Sequence, residues 1–160
     1  MISKHARIGK NVEIGNYVVI EDGVEIGDNT VIKNYVELRE NTKIGANCFI
    51  DSRVSTSGNC EVGDNSTLRY DVILARGCKI GRDTYICPRV MTNNLDTGQS
   101  QIGGAQIGDS CFIGTNTVIQ HGVTVGDNVV TGAMSFVNKD IPSNEIWYGS
   151  PARFHKKNAE

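Results

Sequence analysis

Aliphatic residues recur at every sixth position over most of this 160-residue chain. An α-helix repeats its apolar side chains every 3.6 residues and a strand every two, so neither accounts for a period of six. A fixed short period is typical of a solenoid, in which each repeat buries its apolar side only against its neighbours. The register is set by Ile8, Ile14, Ile20, Ile26, Ile32, Leu38, Ile44, Ile50, Thr56, Val62, Leu68, Leu74, Ile80 and Ile86, and after one interruption by Ile107, Ile113, Ile119, Val125, Thr131 and Val137.

The other positions of the repeat predict a short strand followed by a sharp turn. With the aliphatic residue as the first of six, the second is often glycine. The fourth is often asparagine or glycine, the residue types that most readily reach a positive φ. The fifth is small or β-branched in both repeat blocks, which suits a tightly packed corner. Three such units make one triangular coil, so we expect an all-β fold, a parallel β-helix of about seven coils.

The repeats divide the chain into a β-helix over residues 1–142 and a C-terminal segment over residues 143–160. Residues 92–106 leave the period, so we expect them to form a loop that protrudes from the solenoid. The interval from Ile86 to Ile107 is 21 residues, three more than one coil of 18. These lengths leave open an insertion of three residues or of nine.

The C-terminal segment is expected to cap one open end of the solenoid, because exposed strand edges invite aggregation unless they are covered. Ile146, Trp147 and Tyr148 are the apolar residues suited to this contact. Ser150 and Pro151 suit the cap and the first residue of a short terminal helix, which the segment is therefore predicted to contain.

Composition limits the classes of partner. The net charge is −2 with both signs interspersed, so the chain has no basic footprint for a nucleic acid. No apolar run approaches the length of a membrane span, and residues 1–10 lack the apolar core of a signal peptide. We therefore expect a soluble cytoplasmic protein with neither a nucleic-acid nor a membrane partner.

Four of the five cysteines stand in the small fifth position of the repeat, and no Cys-x-x-Cys pair occurs. A buried cysteine in such a slot acts as a small apolar filler, so the pattern predicts structural thiols rather than disulfides or metal ligands. Cys87 stands in the second position, which leaves a chemical role open for it. The four in the fifth position are Cys48, Cys60, Cys78 and Cys111.

Three segments narrow the interpretation: residues 88–93 (PRVMTN), 137–142 (VNKDIP) and 148–153 (YGSPAR). Together with the repeat, over roughly residues 8–155, they resemble the hexapeptide-repeat acyltransferases, which are left-handed parallel β-helix enzymes. The first segment is similar to a stretch of the nucleotide-linked amino-sugar N-acetyltransferases. The other two are similar to C-terminal segments of acyl-CoA-dependent members.

This resemblance implies a left-handed helix and a homotrimer with active sites between neighbouring subunits. It also implies that acetyl-CoA, or another acyl-CoA, lies along the coils near the C-terminal end. The matching asparagine, Asn93, would lie beside the acceptor amine, and Lys139 beside the CoA phosphates. We therefore expect substrate contacts from Thr92, Asn94, Asp96 and Arg89, and cofactor contacts from Gly114, Gly132, Ala133, Lys139 and Arg153.

His121 is the only histidine inside the repeats and stands at a turn. A neutral imidazole there could accept the proton of the attacking group near pH 7. The alternative is a solvated turn histidine or a subunit contact, and the family more often carries Pro or Cys at this place. Asn93 could equally be a turn residue, and Asp96 either anchors a substrate ammonium or is a loop charge. Arg69, Tyr70 and Arg76 could meet substrate phosphates or a neighbouring subunit.

The sequence thus predicts an acyl-CoA-dependent transferase that moves an acetyl or similar group to the amine of a sugar, which we expect to be nucleotide-linked. After Asn93 the sequence differs from that of the amino-sugar enzymes, so the identity of the sugar and of the nucleotide stays open. The alternatives are a sugar O-acetyltransferase and a non-catalytic trimeric scaffold. Some trimers of this shape are zinc carbonic anhydrases, but they need three converging histidines. His5 and His155 lie near the chain ends, so no metal is expected.

Overall fold

The computed structural model describes residues 1–159, and their regular structure consists of strands alone. Strands of two residues follow one another to the end of the repeats, and two longer strands close the chain. In chain order they are β1 (Arg7–Ile8), β2 (Glu13–Ile14), β3 (Val19–Ile20), β4 (Glu25–Ile26), β5 (Val31–Ile32), β6 (Glu37–Leu38), β7 (Lys43–Ile44), β8 (Phe49–Ile50), β9 (Ser55–Thr56), β10 (Glu61–Val62), β11 (Thr67–Leu68), β12 (Ile73–Leu74), β13 (Lys79–Ile80), β14 (Tyr85–Ile86), β15 (Met91–Thr92), β16 (Gln106–Ile107), β17 (Phe112–Ile113), β18 (Val118–Ile119), β19 (Thr124–Val125), β20 (Val130–Thr131), β21 (Phe136–Val137), β22 (Glu145–Gly149) and β23 (Ala152–Lys157).

Every third strand lies in the same sheet and pairs in parallel with the strand of the next coil, as Arg7 does with Glu25. The first face therefore runs from β1 to β19, the second from β2 to β20, and the third from β3 to β21. The result is a three-sided parallel β-helix of seven coils, with bridges at Ile2 and Ile141 that add partial rungs at its two ends. This confirms the predicted fold class, and the arrangement is consistent with a left-handed helix.

The residue in the first position of each repeat points into the prism, as the period predicts. Ile20, Leu38 and Ile50 have no exposed surface, and every other residue of the register from Ile26 upwards is at most 4% exposed. The first two strands are the exception: Ile8 is 40% exposed and Ile14 is only partly buried, because no rung lies below them. The predicted register is thus confirmed from Ile20 upwards.

The small residues in the fifth position tie one coil to the next. The Thr30 hydroxyl donates to the carbonyl oxygen of Gly45 at 2.8 Å and accepts the backbone N–H of Cys48 at 3.0 Å. Ser66 and Thr84 repeat the arrangement higher in the stack. Within residues 1–159, no buried side-chain nitrogen or oxygen is left without a hydrogen-bond partner. A narrow core can therefore hold hydroxyls at little cost, because each one is paired.

The fourth position turns each corner with a left-handed backbone, and the three corners differ in what they place there. The first corner joins the first face to the second and carries Asn11, Asn29, Asn47, Asn65, Asp83, Ser110, Asn128 and Asn144. The second corner joins the second face to the third and carries Tyr17, Tyr35, Arg53, Asp71, Arg89, Asn116 and Met134. The third corner joins the third face to the first and carries Gly23, Asn41, Asn59, Gly77 and Gly122. Small residues suit this conformation, so the long side chains of the second corner stand out.

The protruding loop inserts nine residues, not three. Ile80 pairs with Ile107, 27 residues later, whereas uninterrupted partners are 18 residues apart. The chain leaves the prism after β15 at the third corner and forms a small hairpin closed by a bridge between Leu95 and Gln101. Gly104 and Ala105 are buried where it re-enters. The insertion thus leaves the register of every face intact.

The C-terminal segment forms an antiparallel hairpin, so the predicted helix at Ser150 and Pro151 is wrong. Its first strand, β22, pairs in parallel with β20 and extends the second face, and β23 pairs with β22. Trp147 packs on the core at the last coil, as expected of a cap, whereas Tyr148 is half exposed. Free strand edges favour further pairing, and this preference outweighs the helix-start signal. Among residues 1–159, no helix has the length and apolar character to cross a membrane.

The second-position glycines of the first corner let successive coils approach closely, and Gly81 provides a test. A Cβ at Gly81 would lie 2.5 Å from the carbonyl carbon of Gly108 and also too close to Asp109. We expect Gly81→Ala to lower the free energy of unfolding by about 1–3 kcal/mol, as overpacking does. The matched control is Gly98→Ala in the loop, whose nearest neighbour would be Asp96 at 3.3 Å. Urea denaturation should separate the two variants, and equal stabilities would contradict the close approach.

All five cysteines are free and buried, as the repeat predicts for the four in the fifth position. Burial raises the pKa of the Cys78 thiol to about 12, and it raises the pKa of Cys87 as well. The thiolate is the reactive form, so a raised pKa leaves little of it at neutral pH. We expect no thiol of the native protein to react with Ellman's reagent at pH 7 while the chain unfolded in guanidinium reacts fully. Fast labelling of Cys87 in the native state would contradict its burial.

Candidate active site

Five of the predicted site residues lie at the third corner. Asn94, His121 and Lys139 occupy the third position of the repeat on successive rungs, and Asn93 precedes Asn94 at the second position. The Asn93 N–H donates to the carbonyl oxygen of Ile119 at 3.0 Å, which fixes the rung of Asn93 directly below that of His121. The corner therefore stacks an amide, an imidazole and an ammonium group above one another.

The loop folds back beside this stack. The carbonyl oxygen of Asn94 accepts the Ile102 N–H at 3.0 Å, and the Gly122 N–H donates to the carbonyl oxygen of Gly103 at 3.0 Å. Asp96 closes the loop tip, since its carboxylate accepts the Ser100 N–H at 2.8 Å. The returning strand of the loop thus lies against the turn that carries His121.

His121 is half-buried. Within residues 1–159 its imidazole has no hydrogen-bond partner, although its backbone neighbours are fixed by the loop and by the rung above. By contrast, the His155 imidazole lies 3.1 Å from the Tyr148 hydroxyl, and the two rings pack with centroids 4.8 Å apart. Of the two, only His121 combines partial burial with an imidazole that is open to a ligand.

A shallow groove runs along the third face up to this corner. It has a volume of about 290 Å³ and is lined by Ile73, Met91, Asn93 and Leu95, among others. Thr92 lies between these residues in sequence but points inward: it is 3% exposed and its hydroxyl accepts the Ala75 N–H at 2.9 Å. Ser57, Asn93 and Asn94 are the other polar residues of the lining, so the groove presents two amides beside an apolar wall.

The remaining predicted residues lie elsewhere. Arg89, Gly114, Gly132 and Ala133 belong to the second corner, on the other side of the third face. A Cβ at Gly114 would meet the backbone of Ala133 at 2.6 Å, and a Cβ at Gly132 would meet Cβ of Tyr148 at 2.7 Å. These glycines thus allow close packing of the upper coils and the C-terminal hairpin.

Arg153 lies on β23, where its guanidinium donates to the carbonyl oxygen of Ala152 at 2.8 Å. Within one chain, the residues predicted for the acceptor and those predicted for the acyl donor therefore form two groups. Asn93, Asn94, Asp96, His121 and Lys139 stand at the third corner. The third face separates them from the glycines of the second corner.

Arg69 at the second corner and Arg76 at the third are held by carboxylates of their own chain. Arg76 pairs with Glu40 at 2.6 Å, and Arg69 pairs with Asp51 at 3.0 Å and with the Tyr85 hydroxyl at 2.6 Å. The bond to Arg76 lowers the pKa of Glu40, so the carboxylate is held in its charged form. These partners could not be predicted from the sequence pattern, because they lie one or two coils away along the chain.

The apolar wall of the groove was also missed, although the sequence contains its signal. The outward residue of a strand immediately precedes the inward aliphatic, and Ile73 and Met91 stand there on neighbouring rungs of the third face. Both are more than a third exposed. Apolar residues in outward positions of adjacent coils are thus the pattern from which this wall could have been predicted.

Comparison with known proteins assigns the family. Residues 5–40, 41–76 and 104–139 match the bacterial transferase hexapeptide (six repeats) model, and the chain belongs to this family. Galactoside O-acetyltransferase of Escherichia coli (strain K12) is 53% identical over 47 residues, which cover 29% of this chain and 23% of that protein. Gamma carbonic anhydrase 2, mitochondrial, of Arabidopsis thaliana is 35% identical over 75 residues, which cover 45% of this chain and 27% of that protein. Both matches thus span about a quarter of the relative.

A solved structure shares the fold over nearly the whole chain. The N-acyltransferase AntD of Bacillus cereus, solved with dTDP-4-amino-4,6-dideoxyglucose and coenzyme A, superimposes with a TM-score of 0.64 at 20% identity. The superposition covers 96% of this chain and 84% of AntD. At this identity the likeness shows the fold alone.

Because one relative is a carbonic anhydrase, we asked whether the side chains of one chain could bind a metal ion. No group of three or more His, Cys, Asp or Glu side chains among residues 1–159 could hold a metal ion. His5 lies in the first coil, His121 at the third corner and His155 on β23. A single chain therefore does not offer a centre of three histidines.

Proposed function

We propose that this protein is an acyl-CoA-dependent transferase that moves an acetyl or similar acyl group to the amine of a sugar, which is nucleotide-linked. The observation that carries the proposal is the third corner, where the half-buried imidazole of His121, without a hydrogen-bond partner among residues 1–159, lies one rung above Asn93 and one rung below Lys139. Family membership and the acyltransferase names among its relatives support the same chemistry.

The reaction needs few protein groups because the thioester is already activated. The acceptor nitrogen attacks the thioester carbonyl, the new C–N bond forms, and the C–S bond breaks as the CoA thiolate leaves. His121 takes the proton that the nitrogen loses and returns it to the leaving thiolate, so protons balance over the cycle. Asn93 orients the acceptor by a hydrogen bond, and Asp96 attracts its ammonium group, which loses its first proton to solvent before the neutral amine attacks. Thr92 supports the wall from inside, and Asn94 holds the loop in place.

The two groups of residues meet when copies of the chain pack side by side. In a homotrimer, the third corner of one copy can face the second corner of its neighbour. Gly114, Gly132 and Ala133 would then let the pantetheine arm lie along the coils, with Lys139 and Arg153 for the phosphates. In this arrangement the two groups of residues, which are apart within one chain, would form one site between two subunits. Arg89 of the neighbouring copy would then contact the acceptor.

Transfer to a sugar hydroxyl is the second candidate, and the galactoside O-acetyltransferase match favours it. The two reactions place different demands on the base. A hydroxyl stays protonated at any accessible pH, so it needs a base in the transition state. An amine loses its proton spontaneously above its own pKa, so it needs the base less as the pH rises.

His121→Ala is the direct test of the reaction. For N-transfer we expect the rate to fall by about 10²–10⁴ near pH 7, as for loss of a general base, and to recover in part at high pH. For O-transfer we expect near-complete loss at every pH. The measurement is CoA release against pH with amino-sugar and sugar acceptors. His5→Ala, a change in the first coil, is the control and should keep the wild-type profile. Unchanged rates for His121→Ala at all pH values would overturn the proposal.

Binding of CoA separates an enzyme from a non-catalytic scaffold. At 100 times its dissociation constant, a ligand that binds only the folded protein adds about 2.7 kcal/mol of stability. We expect CoA to raise the melting temperature of the wild type. Lys139→Ala should need more CoA for the same shift, whereas the control Lys4→Ala should match the wild type. No shift at any CoA concentration would favour the scaffold.

A further inference from the structure

Two tyrosines form an exposed aromatic pair at the lower end of the second corner. The rings of Tyr17 and Tyr35 are stacked with centroids 5.1 Å apart and planes 10° from parallel. Tyr17 is 76% exposed and Tyr35 is 59% exposed. They lie in the two lowest coils, so no coil covers the outer side of Tyr17.

Both tyrosines occupy a backbone conformation that costs energy. Their φ angles are +56° and +59°, in the region that bulky side chains rarely adopt. The same slot at the first corner of the same coils holds Asn11 and Asn29, which tolerate the conformation better. Burial does not offset the cost, because both rings face solvent. A strained residue whose side chain contributes nothing to the core points to a role in binding.

The surroundings of the pair fit a neutral polyhydroxy ligand. Asn34 uses its side-chain oxygen to accept the Asn16 N–H at 2.8 Å, which leaves its amide N–H groups for a ligand. Lys33 and Glu13 line the adjacent depression with opposite charges. The next side chain up the corner, Arg53, is held by two hydrogen bonds from its guanidinium to Asp71, at 2.6 and 3.1 Å, so it is not free for a phosphate.

We propose that the Tyr17 ring, backed by the stacked Tyr35 ring, forms a carbohydrate-binding platform whose free face holds a neutral sugar ring of an oligosaccharide. The C–H face of a pyranose packs on an aromatic ring, whose face is electron-rich, and the hydroxyls at its edge bind the neighbouring amides. This site is separate from the candidate active site. From Tyr35, which leads into β6, three rungs lead up the third face to β15 beside the groove, about 14 Å at ~4.8 Å per rung.

The distance has a consequence for the acceptor, which rests on the proposed function. A single sugar in the groove cannot reach the platform three rungs below. A glycan that contacts both must contain several sugar units, so the platform would favour an extended acceptor over a monosaccharide. Binding at the platform itself needs no acyl donor, which allows the two proposals to be tested apart.

The experiment compares Tyr17→Asn/Tyr35→Asn with Tyr17→Phe/Tyr35→Phe. Asparagine is the common residue of this slot, so the first variant should fold with equal or greater stability and lose only the rings. The probes are N-acetylchitohexaose, cellohexaose and maltohexaose, titrated without acyl donor and followed by calorimetry and ligand-observed NMR. We expect at least one hexasaccharide to bind the wild type. Its dissociation constant should rise about tenfold in the asparagine variant and stay within about threefold in the phenylalanine variant.

Three results would overturn the platform. The first is that none of the hexasaccharides binds the wild type. The second is that the asparagine variant binds as tightly as the wild type. The third is that the asparagine variant changes its oligomeric state in sedimentation, which would mean that the rings form a contact between copies. If a hexasaccharide binds but CoA does not and no acyl transfer occurs, the result would contradict the proposed function and support the platform.

Discussion

The stacking of coils in strict register is the constraint on which the rest of this structure depends. A strand of two residues cannot sustain a sheet alone, so each one relies on the strands directly below and above it. The backbone bond from the Gly9 N–H to the carbonyl oxygen of Ile26, 2.8 Å long, recurs as the Gly27 N–H to Ile44 one coil higher. Any change in coil length would break these ladders on all three faces. Inserted residues must therefore leave the prism at a corner, as the loop does.

The fold could be predicted because the six-residue spacing of buried side chains determines the shape of the coil. The ends and the insertion depend on contacts that this spacing does not specify. Gly104 and Ala105 show where the repeat that leads to Ile107 resumes, but they fit an insertion of three residues as well as one of nine. The pairing of Ile80 with Ile107 is what shows nine. The C-terminal turn was misread because Ser-Pro begins helices and turns alike. The unpaired edge of β20 favours the turn over the helix, because β22 pairs with that edge.

The candidate site was predictable only as far as position in the repeat determines which corner a residue occupies. His121 and Lys139 share a repeat position, so their stacking follows from the register. Their relation to Gly114 and Gly132 could not be inferred, because that depends on how one copy meets another. The inward side chain of Thr92 was predictable in principle, since the residue continues the aliphatic register at six beyond Ile86.

The three corners differ in how many side-chain groups they leave free, and the difference has a physical reason. At the first corner, the side chains form hydrogen bonds from one coil to the next. The Asn11 amide donates to the Asn29 side-chain oxygen at 3.1 Å, and the Asn128 amide donates to that of Asn144 at 2.9 Å. Such a ladder leaves few groups for a ligand. The second and third corners carry aromatic, imidazole and ammonium groups that the coils above and below do not fully satisfy. Because a corner side chain lies outside the packed interior, it can change without disturbing the register, so binding and catalysis can vary while the prism stays the same.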